Sequence, residues 1–181
     1  DDIYEPSEIL NHLNLRFVKM LKQETTATHD GMEIAICSLD METRILEYAG
    51  AKMPLYHNSE QGLEKIRPDK IPIGGVDNSS ARFNQQSIQM KKGDRFFMFS
   101  DGITDQFNAD NSKKLTRKRF ERLIRIFSAE PMDIMKQETL SFLANREEFS
   151  TKSTIIFQDR FNFYLCSPEE SFWVLHKNLL I

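Results

Sequence analysis

Apolar residues recur at helical spacing near the start of the chain. Leu10, Leu13, Phe17, Met20 and Leu21 define one face of a helix expected from Pro6 through about Lys22. Glu5-Pro6-Ser7-Glu8 supplies its start, with proline in the first turn and acids where the helix dipole favours them. Gln23 to Asp30 is polar and reads as a linker. The pattern then changes. Met32 to Leu39 is apolar with little alternation, as in a strand covered on both faces. Asp40-Met41-Glu42-Thr43 turns the chain into a second strand, Arg44 to Ala49, making a β-hairpin. Another short strand is expected at Leu55-Tyr56.

Glu60 to Asp69 is charged and reads as a surface excursion, and the proline and glycines of Ile71-Pro72-Ile73-Gly74-Gly75 predict a turn. Phe83 to Met90 and Arg95 to Ser100 read as a second hairpin across Lys92-Gly93-Asp94, with Asp94 a turn residue. A helix is expected from Thr116 to Phe127, with Phe120, Leu123, Ile124 and Phe127 on one side. Pro131 opens another through about Ala144, carrying Met132, Met135, Leu140 and Leu143. Antiparallel hairpins bounded by amphipathic helices predict an α+β layered sandwich, not a parallel α/β sheet.

Composition narrows the class. With 181 residues, 40% hydrophobic and 28% charged, the chain can build one domain with a real core. A net charge of −3 argues against a broad nucleic-acid footprint. The densest basic patch, Lys113-Lys114-Leu115-Thr116-Arg117-Lys118-Arg119, is interleaved with apolar residues that continue as a helix, and reads as a solvated helix face. Cys37 and Cys166 form neither a disulfide framework nor a zinc set, and His12, His29, His57 and His176 are scattered. No segment is apolar and long enough to span a bilayer, and no signal-peptide pattern opens the chain, so a cytoplasmic domain is expected. Phosphate-binding glycine loops and a Gly-x-Ser-x-Gly elbow are absent.

The sharpest chemical feature lies at Arg95 through Asp105. An apolar run, Phe96-Phe97-Met98-Phe99, ends abruptly in Ser100-Asp101-Gly102. A carboxylate at the mouth of a buried strand is costly unless it is hydrogen-bonded, paired or bound to a cation. Gly102 lets the backbone turn sharply or approach a ligand closely. Alone, the pattern reads as a carboxylate that caps the turn after the strand.

Read with its neighbours, the motif resembles the magnesium/manganese-dependent protein serine/threonine phosphatases, the PPM family. The branch is that of stage II sporulation protein E and the phosphatases that regulate sigma factors. The stretches that carry this are Pro6-Ser7-Glu8-Ile9-Leu10-Asn11-His12-Leu13-Asn14, Asp30-Gly31-Met32-Glu33-Ile34-Ala35-Ile36-Cys37, Tyr48 through Tyr56, Ile71-Pro72-Ile73-Gly74-Gly75 and Lys92 through Phe107. The resemblance implies an αββα sandwich of two antiparallel sheets with a two-ion site holding Mn²⁺ or Mg²⁺. A metal-activated water would attack phosphoserine or phosphothreonine without a covalent intermediate. It assigns Asp101 as a metal ligand with Gly102 beside it, and Asp105 to a cap.

Two departures accompany it. The family's aspartate followed by Gly-His-Gly is absent, and Asp30-Gly31 matches a different position, at a strand start. The Asp-Asp pair that opens the last apolar strand is replaced by Ser150 through Thr154, and Asp159 follows the run Ile155-Ile156-Phe157 instead of preceding it. The expectation is an incomplete domain over 1–149, lacking its first strands and its last. Residues 150–181 are then a divergent tail, either a frameshift product or extra strands. Two functions follow. One is a phosphatase domain of bacterial signalling, acting on a phosphorylated regulatory protein of the anti-sigma-factor-antagonist type behind an upstream sensor. The other is a non-catalytic remnant or pseudophosphatase that binds a protein partner.

Overall fold

The computed structural model describes residues 5–23, 25, 30–75, 80–99, 101–105, 114–128, 130–131, 134–135, 137–139, 141, 155–159, 162–166 and 179–180. For 102, 155–159, 162–166 and 179–180 the backbone alone is described. The chain divides into two compact units, Asp1–Leu55 with Ile66–Lys91 and Phe172–Ile181, and Tyr56–Lys65 with Lys92–Ser171.

In the first unit α1 (Pro6–Met20) lies against a four-stranded antiparallel sheet. Leu10 packs with Ile36, Ala49, Ala51, Ile73 and Phe83, and Leu13 and Phe17 close over that cluster. The buried side of α1 also carries Ser7, Asn11 and Asn14, while Met20, expected on the apolar face, is 71% exposed. Asn11 and Asn14 are buried because the backbone amides of Phe83 and Gly74 lie against them and need acceptors. Gly74 N–H donates to Asn14 Oδ1 (2.7 Å), Phe83 N–H to Asn11 Oδ1 (3.0 Å) and Ser7 N–H to Gln85 Oε1 (3.3 Å).

The expected strand at Met32 is split into β1 (Gly31–Met32) and β2 (Ile34–Asp40), with Ala35, Ile36 and Cys37 buried in succession. β2 pairs with β3 (Ile45–Ala51) in the expected hairpin, from Asp40↔Ile45 to Ile34↔Ala51. Asp40 Oδ1 holds the loop by accepting from Glu42 N–H (2.8 Å) and Thr43 N–H (3.2 Å), and the Thr43 side chain, then these two bonds, draw its carboxyl below the usual range.

The second unit holds a five-stranded antiparallel sheet in the order β10-β9-β8-β4-β5. Its strands are β4 (Leu55–Ser59), β5 (Gly62–Ile66), β8 (Arg95–Phe99), β9 (Ile155–Asp159) and β10 (Asn162–Cys166). Part of the expected surface excursion is therefore an edge strand: Gly62, at φ 101°, completes the turn that sends β5 back along β4. On this sheet sits α3 (Arg117–Phe127), whose Phe120 and Ile124 join Tyr56, Phe97, Phe99, Ile103, Leu115 and Met135 in one core. The Tyr56 hydroxyl donates to Glu121 Oε1 (2.6 Å), and Lys65 Nζ reaches the same oxygen (3.1 Å), fixing one side of α3 to β4 and β5. Of the helix expected from Pro131, the described residues 134–135, 137–139 and 141 are helical.

The expected second hairpin does not form. β7 (Gln86–Gln89) pairs with β3 in the first sheet, whereas β8 pairs with β4 and β9 in the other. The reason lies in the two side-chain patterns. Gln86, Ser87 and Gln89 are exposed, which suits the edge position that β7 takes, while Phe96 through Phe99 are all buried, which suits an interior strand. β6 (Ile73–Gly74) pairs with β1, so the segment expected to be only a turn carries one short ladder, Gly31↔Gly74 and Met32↔Ile73. Beyond residue 150, β9 and β10 extend the second sheet and β11 (Leu179–Leu180) pairs with β2.

Candidate functional site

β8 delivers Asp101 to the end of a buried strand. Phe96 to Phe99 are 6% exposed or less, and two residues beyond Phe99 Asp101 opens α2 (Asp101–Thr104) with an exposed side chain. Ile103 and Thr104 turn inward and are buried. The turn is held by the Asp101 carbonyl, which accepts from Thr104 Oγ1 (3.0 Å) and Asp105 N–H (2.8 Å). Among the described residues the Asp101 carboxylate has neither a hydrogen bond nor an ion pair. Asp105, expected to cap the turn, instead places Oδ1 2.8 Å from Lys114 Nζ. Thr116 N–H donates to the Thr104 carbonyl (2.9 Å), so the start of α3 is tied to the end of α2.

The donor set does not fit a two-ion centre. Among the described residues no three of His, Cys, Asp and Glu come together in a group able to hold a metal. The register explains why Asp159 cannot join Asp101. Ile155 pairs with Phe99, at the Asp101 end of β8, and Asp159 pairs with Arg95 at the other end. At about 3.3 Å per residue, that separates Asp159 from the Phe99 end by roughly 13 Å. The residues just before β9 are Ser153 and Thr154, which lie outside the described residues and carry hydroxyls where a hard divalent ion favours carboxylates.

Asp94, expected as a turn residue, is buried, and its Oδ2 lies 3.0 Å from His57 Nε2 without the alignment of a hydrogen bond. The imidazole stacks on Phe96 (centroids 4.6 Å, 6°), its partner across β4 and β8. His57 and Asp94 meet because Asp94 immediately precedes β8 and His57 pairs with Phe96 two residues further on, a register not visible in the sequence. Cys37 is buried in β2, where desolvation pushes its thiol up to about 12. His12 is exposed on α1. His29, Ser100, Gln106, Phe107, Trp173 and His176 lie outside the described residues. Among the described residues no helix is long and apolar enough to cross a membrane.

Two antiparallel sheets, each with a helix against it, and a buried strand that ends in Asp-Gly define an α+β domain of the PPM phosphatase type. The fold is similar to that of the SiaA-PP2C domain of Pseudomonas aeruginosa (TM-score 0.69, 22% identity, 88% of this chain and 62% of that one). It is also similar to the phosphatase domain of the cell-fate determinant SpoIIE from Bacillus subtilis (TM-score 0.50, 14% identity, 86% and 72%). This chain thus spans 62% of the length of the SiaA domain. The model of the stage II sporulation protein E (SpoIIE) family matches residues 1–150, and the chain belongs to that family. No curated protein sequence matches it.

Proposed function

We propose that the domain serves phosphoserine and phosphothreonine signalling in the cytoplasm as a Mn²⁺- or Mg²⁺-dependent protein phosphatase domain. In this reading Asp101 is a metal ligand, with Gly102 letting the backbone come close. Its substrate is a phosphorylated regulatory protein of the anti-sigma-factor-antagonist type, and an upstream sensor sets its output. The observation that supports this is the exposed Asp101 carboxylate, presented by a buried strand at a turn that Thr104 and Asp105 hold rigid. A complete centre needs carboxylates beyond Asp101, because hard cations require several oxygen ligands to offset dehydration.

The position of Asp159 favours a second reading for the 181-residue chain on its own, a non-catalytic domain that binds a protein partner. Hydrolysis of p-nitrophenyl phosphate with Mn²⁺ separates the two. The chain alone is expected to give no turnover, since one carboxylate cannot position two ions. Mn²⁺-dependent turnover that disappears in Asp101→Asn would show that residues outside the described set complete the site, and the enzyme reading would then hold for this chain by itself.

A further inference from the structure

α3 carries more positive charge than its own stability favours. Arg117, Lys118 and Arg119 occupy its first turn, which holds no acidic residue, at the helix end where the dipole already favours anions; Glu121, one turn on, offsets Arg117 but is shared with Tyr56 and Lys65. Lys118 and Arg122 stand one turn apart, as do Arg122 and Arg125, and like charges at these spacings repel. No cation on α3 forms a salt bridge among the described residues.

Two of the cations are held in place. Arg119 Nη1 donates to the Lys114 carbonyl (3.1 Å) and Arg125 Nη2 to the Leu63 carbonyl (3.3 Å), contacts that hold the guanidinium groups without neutralising them. Phe120 and Ile124 bury the opposite side of the helix, and Tyr56 and Lys65 fix its flank through Glu121. What faces outward is a ridge of Lys118, Arg119, Arg122 and Arg125, with Ile126 59% exposed among them. By helical rise it is about 12 Å long.

We propose that this ridge of α3 is a docking surface for an acidic segment of a partner protein, with Ile126 as its apolar anchor. Charge complementarity selects the occupant. The ridge is concentrated cation on a chain whose net charge is −3. An exposed aliphatic residue within a charged rim is the arrangement of a protein interface. A lipid surface fits poorly, because the apolar side that would enter the bilayer is already in the core. Nucleic acid fits poorly, because among the described residues no exposed aromatic accompanies the cations for base stacking. The proposal does not depend on whether the domain hydrolyses phosphate.

The test is fluorescence anisotropy with the 181-residue chain and a short labelled peptide of glutamate and aspartate around a central leucine. Binding should weaken as salt rises to physiological strength. It should fall about tenfold or more in Lys118→Glu/Arg122→Glu and measurably in Ile126→Ala. Lys92→Glu, in the exposed turn before β8, should leave it unchanged. Both positions are exposed and the double variant exchanges one pair of like charges for another, so it should fold as well as the parent, which its melting curve would confirm. Equal loss in Lys92→Glu, no loss in the double variant, or tighter binding to phosphatidylserine vesicles or single-stranded DNA than to the peptide would overturn the proposal. Ridge-dependent self-association in place of peptide binding would overturn it as well, by making a second copy the occupant.

Discussion

Cys37 lies in the middle of β2 and is 3% exposed, and desolvation raises its thiol from 9.0 to about 12. Alkylation needs the thiolate. At pH 8 the native thiol is therefore expected to react with iodoacetamide on the order of a thousandfold more slowly than a free cysteine, read for the Cys37 peptide by mass spectrometry. The folded value is the higher one, so this group's contribution to stability is complete below pH 9.0 and is lost as pH climbs towards about 12. Burial and the bond to Glu121 push the Tyr56 phenol in the same direction. Unfolding midpoints should fall over that alkaline window, and Cys37→Ala should flatten the fall. A native thiol that reacts at the free rate would mean that β2 opens readily. Cys37 and Asp101 were legible in the sequence because each is set by its own strand: an apolar run hides the first, and an abrupt end exposes the second. Asp94 was not, because turn chemistry accounts for an aspartate there equally well. Its burial against His57 follows from the pairing of β4 with β8, a contact between segments distant in sequence.

At the scale of elements, periodicity located α1, α3 and the β2–β3 hairpin, since each announces itself within its own residues. It misassigned the partners of β7 and β8. A polar turn between two strand-like segments suggests a hairpin, but a strand buried on both faces needs two neighbours, and a polar strand is satisfied at an edge. The amides of α1 were missed for a related reason. Hydrophobic spacing counts apolar side chains, while Asn11 and Asn14 are buried to serve backbone donors some sixty to seventy residues away, at |i−j| of 72 and 60. Gly74 sits at φ 79°, and a Cβ there would fall 2.6 Å from Phe17 Cδ1, so the segment has little room to shift towards another acceptor. Asn14→Ala should leave a buried N–H unsatisfied and cost about 2 kcal/mol, measured by urea denaturation. An exposed control on the same helix, Arg16→Ala, should cost less than about 0.5 kcal/mol. Equal effects at the two positions would show that the amide clamp contributes nothing.

For the whole molecule the decisive region lies beyond residue 150, where the family match ends and where three strands nevertheless take places in the two sheets. β9 is interior: it separates β8 from β10, and its register with β8 is continuous from Arg95↔Asp159 to Phe99↔Ile155. Sequence alone left this region open because its apolar runs lack a clear period, and strand pairing is a property of the partner as much as of the strand. Without β9, the flank of β8 would present unpaired backbone beside four consecutive buried apolar residues, Phe96 to Phe99, which is a template for aggregation. Hydrogen exchange should therefore show Ile155, Ile156 and Phe157 among the slowly exchanging amides, opening with the core strands and not as a frayed end. The 181-residue chain should melt cooperatively, while a chain ending at Ser150 should aggregate or lose its cooperative transition. If amides 155–159 exchange at the rate of an unstructured peptide and the shortened chain melts like the full one, the strands beyond 150 contribute nothing to the fold, and β8 must be protected by something else.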